Sequence, residues 1–191
     1  MISNNPFKAH GIEHLSPSKI NLWVNNPSMF IATYLCGCKS KAGVGAFRGS
    51  ATEFALSKKL MGNFPQKAID EFLYGSFDKE CVEHNISEDN EKLIKERTAL
   101  ELYYNSALDI YSEFGTPTHY QHKVYYSIHE DLPIPFLGYI DFVYEDAIRD
   151  LKTVGVRPSK FSVAHQRQLA VYSKAFPEKE LWCDYVTKKE A

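Results

Sequence analysis

Two hydrophobic periods divide the chain. Up to about residue 114 apolar residues recur at helical spacing; beyond about residue 122 the period falls to two. Ser16-Pro17-Ser18 opens the first helix, with Ser16 placed to cap it and Pro17 at its first position, and Ile20, Trp23 and Val24 form its apolar face. Residues 1–14 before it read as an extended or frayed arm. Asn25-Asn26-Pro27 breaks the helix, and a second helical piece runs to about Leu35. Residues 36–48, rich in Gly, Lys and Ser, read as a loop carrying Lys39, Lys41 and Arg48. Gly49 to about Met61 predicts a helix with Phe54, Leu56 and Leu60 for packing; residues 62–90 read as irregular, with a short helix near 66–74. The clearest stripe, Leu93, Leu100, Tyr104, Leu108 and Tyr111, predicts one core-packed helix from about Asp89 to Phe114, ended by Gly115-Thr116-Pro117.

Strands are predicted at 122–128, 134–145 and 147–154, then a helix at 159–176 and a last strand at 181–186. Helices, three strands, a helix and a strand make an α+β pattern. A length of 191 residues with 44% apolar content fits a single domain, 1–191, with a helical part at about 15–114 and a sheet with its helix at about 119–186. The chain stops just after its last predicted strand, as a truncated or short version of such a domain would.

A net charge of -2 argues against a protein that coats nucleic acid non-specifically, and is neutral about an enzyme that holds metals with carboxylates. The 12 Tyr, 12 Phe and 2 Trp read first as core and strand faces, and more sharply as a base-stacking surface. Four cysteines without a CxxC pair fit reduced thiols in an intracellular compartment. No signal peptide is visible, and no apolar run approaches the ~20 residues of a membrane span, so a soluble, cytoplasmic protein is expected.

The chemistry concentrates in Gly138-Tyr139-Ile140-Asp141 and Asp150-Leu151-Lys152. If Glu145-Asp146 is the turn between these strands, Asp141 lies opposite Asp150; if Asp146-Ala147 is, it lies opposite Lys152. Either way the three share a face. An odd connection would separate them. Two facing carboxylates repel. A divalent cation would remove that repulsion, polarise a phosphate and acidify a bound water, and a neighbouring lysine would stabilise charge growing on the phosphorus oxygens. An exposed hairpin face with a salt bridge is the plainer alternative.

Asp141 with Asp150-Leu151-Lys152 resembles the D…(D/E)xK signature of the PD-(D/E)XK nucleases. Further motifs resemble the RecB-like branch, which includes CRISPR-associated and phage exonucleases. They are Leu15-Ser16-Pro17-Ser18 with Asn26-Pro27-Ser28-Met29-Phe30, Arg48-Gly49-Ser50-Ala51-Thr52-Glu53, Gly138-Tyr139-Ile140-Asp141, and Gln168-Leu169-Ala170-Val171-Tyr172. Together they span residues 15–186. The resemblance implies a restriction-endonuclease-like core, a central mixed sheet flanked by helices with an N-terminal helical part. It implies that Asp141, Asp150 and the Leu151 carbonyl bind Mg²⁺ or Mn²⁺ and that Lys152 is the catalytic lysine. Gln168 and Tyr172 would line the site, touching DNA or orienting Lys152.

Two departures stand out. Glu53 replaces the family's usual histidine; some relatives, the lambda-exonuclease type among them, carry an acid there, so Glu53 is expected as a metal ligand that hardens the site toward Mg²⁺ or Mn²⁺. Many RecB-like proteins hold an iron–sulfur cluster, but here Asn26 takes the position of its first cysteine and only Cys183 lies late, so no cluster is expected. Arg48, Arg149, Arg157, Lys160 and Arg167, with His165, are candidates for binding substrate phosphates, as are Lys39 and Lys41. The expected activity is DNA hydrolysis, as an exonuclease on single strands or DNA ends, in phage or bacterial recombination, repair or processing. The alternatives are a structure-selective endonuclease and a non-catalytic nucleic-acid-binding module.

Overall fold

The computed structural model describes residues 5–38 and 42–188; Lys39 and Lys41 lie outside the described residues. Where an extended arm was expected, Asn5 caps a single helical turn, α1 (Pro6–Ala9), by accepting from the Phe7 and Lys8 amides. The next two helices start where their punctuation predicts. The Ser16 hydroxyl oxygen accepts from the Lys19 amide at 3.3 Å, and Pro17 begins α2 (Pro17–Asn25). Asn26 ends α2 and caps α3 (Pro27–Phe30), accepting from the Met29 amide at 3.0 Å. A π-helical turn, Ile31–Leu35, prolongs it.

The middle of the helical part departs from the expectation three times. Helix α4 (Val44–Gly62) begins inside the stretch read as a loop, so Arg48 sits on a helix. Helix α5 (Gln66–Glu83) fills most of the stretch read as irregular. Its inward stripe is only one residue wide: Ile69, Leu73, Phe77 and Cys81, four apart and all buried. So narrow a stripe among polar residues gives a faint periodic signal. Burying side chains such as Leu73 and Phe77 nevertheless contributes ~1.5–3 kcal/mol each. The single helix expected at 89–114 is two, α6 (Glu91–Thr98) and α7 (Leu100–Tyr111), followed by a 3₁₀ turn at Ser112–Phe114. Ala99, with ψ -3°, interrupts the helical path. The predicted stripe survives the break: Leu93, Leu100, Tyr104 and Tyr111 are buried together and Leu108 packs at their margin.

Four strands, β1 (His119–Tyr126), β2 (Phe136–Val143), β3 (Ala147–Thr153) and β4 (Glu180–Val186), form a sheet in the order β1-β2-β3-β4. The β1–β2 and β2–β3 pairs are antiparallel and β3–β4 is parallel, so the sheet is mixed. Helix α8 (Val163–Ala175) makes the crossover that a parallel neighbour requires. The fold is therefore α+β with helices on both sides of the sheet. Helices α4 to α7 share one apolar cluster with Phe142, Ala147 and Leu151; α8 shares another with Val124, Phe136, Ile140 and Ile148. Among the described residues no helix is long and apolar enough to cross a membrane.

Two features of the sheet prepare the site. Leu15 attaches the start of α2 to β2: its amide donates to the Pro135 carbonyl at 2.9 Å, and its carbonyl accepts from Leu137 at 2.8 Å. The β2–β3 hairpin turns on Glu145-Asp146, with the Tyr144 amide donating to the Ala147 carbonyl at 2.8 Å, but its ladder stops at Phe142–Arg149. Beyond that pair the two strands part.

Candidate active site

The fork between β2 and β3 is filled by acid. The register that joins Phe142 to Arg149 sets Asp141 opposite Asp150, the first of the two hairpin alternatives. Asp141 does not point squarely out of the sheet. Its Oδ2 accepts the Leu151 amide at 2.9 Å, taking the place of the missing ladder partner. On β2 and β1 the alternation of faces slips here. Val124, Phe136 and Ile140 lie under α8, whereas Phe142 and Tyr120, of the same parity, lie toward α7, with Phe142 5.0 Å from the Tyr111 ring. The slip falls on Asp141 and on Gln121 opposite it, whose φ is +49°.

Five elements supply the cluster. β3 brings Asp150, 1% exposed, and Lys152, whose ammonium is ion-paired to Asp150 Oδ2. β2 brings Asp141 and α4 brings Glu53. On β1, the Gln121 amide donates to Glu53 Oε1 and, at 3.4 Å, to Asp141 Oδ1. From α8, the Gln168 amide donates to Asp150 Oδ1 at 2.7 Å and to the Tyr172 hydroxyl at 3.1 Å, and that hydroxyl donates to the Tyr139 carbonyl at 2.6 Å. Gln168 therefore fixes Asp150 directly, Tyr172 acts on it through Gln168, and both reach Lys152 only through Asp150.

The glycines of two motifs acquire reasons. The Tyr172 ring lies on Gly138: an added Cβ would stand 2.9 Å from Tyr172 and 3.0 Å from Phe136. Gly138→Ala should destabilise the fold by ~1–3 kcal/mol, as overpacking does, and pull Tyr172 off the Gln168–Asp150 chain. Urea unfolding and a DNA-cleavage assay check the two effects. At the start of α4, Gly49 lets the helix approach β3, where an added Cβ would meet Thr153 Oγ1 at 3.3 Å. One helical turn later this approach delivers Glu53 to the acids.

Burial and mutual repulsion set the charge states. Burial first, opposed by the Gln121 amide and Lys152 and reinforced by Asp150, pushes the Glu53 carboxyl up to about 7. Burial, then Glu53 and Asp150, holds Asp141 well above the carboxylate range. Burial works against the Lys152 ammonium, but Asp150 and Asp141 outweigh it and keep the lysine above its ordinary range. One ammonium thus faces three carboxyl groups, two of which burial and repulsion hold toward the protonated form.

The donors available to a cation are all oxygens, the set that suits Mg²⁺ or Mn²⁺. The chemistry of Glu53, Asp141 and Asp150 fits such an ion: the charge that Lys152 leaves uncompensated is what a divalent cation would neutralise. Among the described residues, no three His, Cys, Asp or Glu side chains are already gathered at coordinating distance; the Lys152 ammonium and the Gln121 amide are bonded among the acids. A cleft of about 440 Å³ opens beside the cluster between the start of α2, β2 and α8, lined by His14, Ser16, Ser18, Tyr139, His165 and Gln168.

The basic candidates divide. Arg48 is a correction: it is 6% exposed, ion-paired to Glu96, bonded to the Thr153 carbonyl at 2.9 Å and set over the Tyr103 ring. It ties α4 to the end of β3 and has no reach to a phosphate. Arg149 is the second correction. It alternates with Asp150 and so faces the other side of the sheet, paired to Asp184 at 3.0 Å with Phe114 stacked on it at 3.4 Å. Arg149→Ala should cost about 3–5 kcal/mol in urea unfolding, because it strands a largely buried Asp184, and should leave DNA affinity per folded molecule unchanged.

Arg167 bridges α8 to Asn21 of α2 at 3.2 Å. Arg157 and Lys160 are exposed in the loop between β3 and α8. His165 lines the cleft with its Nδ1 2.6 Å from the Tyr185 hydroxyl; burial, and then Lys152, holds its pKa low.

Gln121 is the site residue that sequence reasoning missed. It lies outside every motif, and the strand containing it was expected to start one residue later, at His122. Comparison of the chain with protein-family models, with curated proteins and with solved structures gives no match.

Proposed function

We propose that this protein is a divalent-metal-dependent deoxyribonuclease of the PD-(D/E)XK type, nearest in pattern to the RecB-like branch, and that it hydrolyses phosphodiester bonds in DNA. One observation carries the reading: the Asp150-x-Lys152 pair on β3 meets Asp141 from β2, Glu53 from α4 and Gln168 from α8 in one cluster. The element order, three strands then helix then parallel strand on a mixed sheet, supports a restriction-endonuclease-like core.

Glu53, Asp141 and Asp150 would hold Mg²⁺ or Mn²⁺. A bound cation supplies Lewis-acid polarisation of the scissile phosphate and offsets its charge. The protein's own groups do the rest. The Leu151 amide fixes one Asp141 oxygen, and the Tyr139–Tyr172–Gln168 chain fixes one Asp150 oxygen. Lys152, an ammonium throughout the working pH range, stabilises the negative charge that builds on the phosphorus oxygens as water forms its bond to phosphorus and the ester bond breaks. The cleft beside Gln168 is the place for the strand. An exonuclease acting on single strands or DNA ends is the preferred form, in the cytoplasm of a bacterium or a phage-infected cell.

The test is incubation of the purified chain with end-labelled single- and double-stranded DNA and with circular single-stranded DNA, in Mg²⁺, Mn²⁺ or EDTA. Metal-dependent release of short products from linear DNA supports the reading. Opening of the circle turns it toward an endonuclease. A folded protein that cuts none of these with either metal refutes it.

A further inference from the structure

We infer that Gln121 is a positioning residue that holds Glu53 and Asp141 together for a divalent cation; the inference rests on the metal-dependent reading above. Three described residues other than glycine have positive φ: Asn63, Asn85 and Gln121. Asn63 and Asn85 follow the C-terminal ends of α4 and α5, where a left-handed residue is ordinary and asparagine suits it. Gln121 sits inside a strand whose pairing continues on both sides, Tyr120 with Phe142 and His122 with Ile140. Its φ of +49° reverses no chain direction. A left-handed conformation is unfavourable for a residue with a β-carbon, and strain of this kind persists where the surroundings enforce it, commonly at functional sites.

The strain accompanies one arrangement, in which the Gln121 amide nitrogen reaches Glu53 Oε1 and Asp141 Oδ1 together. Those carboxylates come from α4 and β2, far apart in the chain, and they repel. A primary amide has two N–H groups and no charge. It can donate to both acids without neutralising them, so their charge stays available to a cation. A lysine here would take the cation's place, and a glutamate would add repulsion. Asparagine tolerates the backbone but is one methylene too short to span the pair.

The last point supplies the experiment. Gln121→Asn keeps a residue at ease with positive φ and withdraws the amide; Gln121→Gly removes the amide and the strain together. Thermal unfolding of the wild type and both variants is followed against Mn²⁺ concentration without DNA, and DNA hydrolysis against Mn²⁺ is then measured. The cation-free melting temperature of Gln121→Gly should equal or exceed that of the wild type. Both variants should need roughly 10–100-fold more Mn²⁺ for half-maximal stabilisation, as loss of outer-shell support for metal ligands does. Their hydrolysis at saturating Mn²⁺ should return to within a few-fold of wild type. Folded variants with the wild-type Mn²⁺ midpoint overturn the positioning role and leave the metal reading standing. A wild type that Mn²⁺ does not stabilise overturns both. Shifted midpoints in a protein that cuts no DNA uphold the positioning role and refute the nuclease reading.

Discussion

Lys152→Met should lower the single-turnover rate of DNA hydrolysis at saturating Mn²⁺ by at least ~10²–10³-fold, the size of effect seen when one group that stabilises transition-state charge is removed. Methionine keeps the length and packing of the side chain and discards the charge. The same substitution should strengthen Mn²⁺ binding. Lys152 is now the counter-ion of Asp150 Oδ2, so it competes with any cation for that oxygen. Without metal the variant should be less stable, because Asp150, 1% exposed, loses its ionic partner. The three signs together are distinctive: a rate that falls, an affinity that rises and a cation-free stability that falls. A lysine that served only to balance charge on a structural hairpin would give the stability loss alone. A rate within ~10-fold of wild type at saturating Mn²⁺ would remove Lys152 from the chemistry.

The second large effect is on stability against pH. Glu53 and Asp141 titrate higher in the folded protein than in the unfolded chain, Glu53 at about 7. The folded state therefore binds their protons more tightly. Below the unfolded carboxylate range, near pH 4, both states are protonated and the groups cost nothing. As pH rises beyond that range the unfolded chain releases protons that the fold retains. Stability falls through the interval and levels off for Glu53 above about pH 7. Glu53 is half-buried, and solvent screening reduces the size of the effect. In EDTA the melting temperature should drop by about 2–4 °C between pH 5 and pH 8, which corresponds to ~1 kcal/mol for a chain of this length. Saturating Mn²⁺ should abolish the drop, because the ionised acids then have a partner, and Glu53→Gln should flatten the cation-free profile. A melting temperature whose difference between EDTA and Mn²⁺ is the same at pH 5 and pH 8 would contradict the arrangement of charges described above.

Much of this architecture is local in origin. Ser16-Pro17 and Asn26-Pro27 determine where α2 and α3 begin, because a cap and a proline act within a single turn. The change of period near residue 119 and the order of strands, helix and strand follow from side-chain alternation, which needs no distant partner. The even connection between β2 and β3 sets the parity that makes Asp141 and Asp150 neighbours, and the Tyr144–Ala147 bond selects between the two registers left open. Asp141, Asp150 and Lys152 could therefore be assigned to one face before any packing was known, whereas Gln168 was joined to them only by the resemblance of its motif.

Tertiary structure decided the rest. Arg48 and Arg149 look like surface cations in sequence. Their partners Glu96 and Asp184 stand 48 and 35 residues away, and only folding shows that both guanidiniums are spent inside the protein. The narrow stripe of α5 gained its helix from the core it packs against, since propensity and period alone were too faint there. Gln121 became a site residue because the alternation of faces breaks at Gln121 and Asp141 and α4 carries Glu53 to the same spot. Local signals determine which segments become helix or strand and which side chains share a face. Which charges meet, and which are left without a partner, depends on contacts between residues distant in sequence, and at this site those contacts set the chemistry.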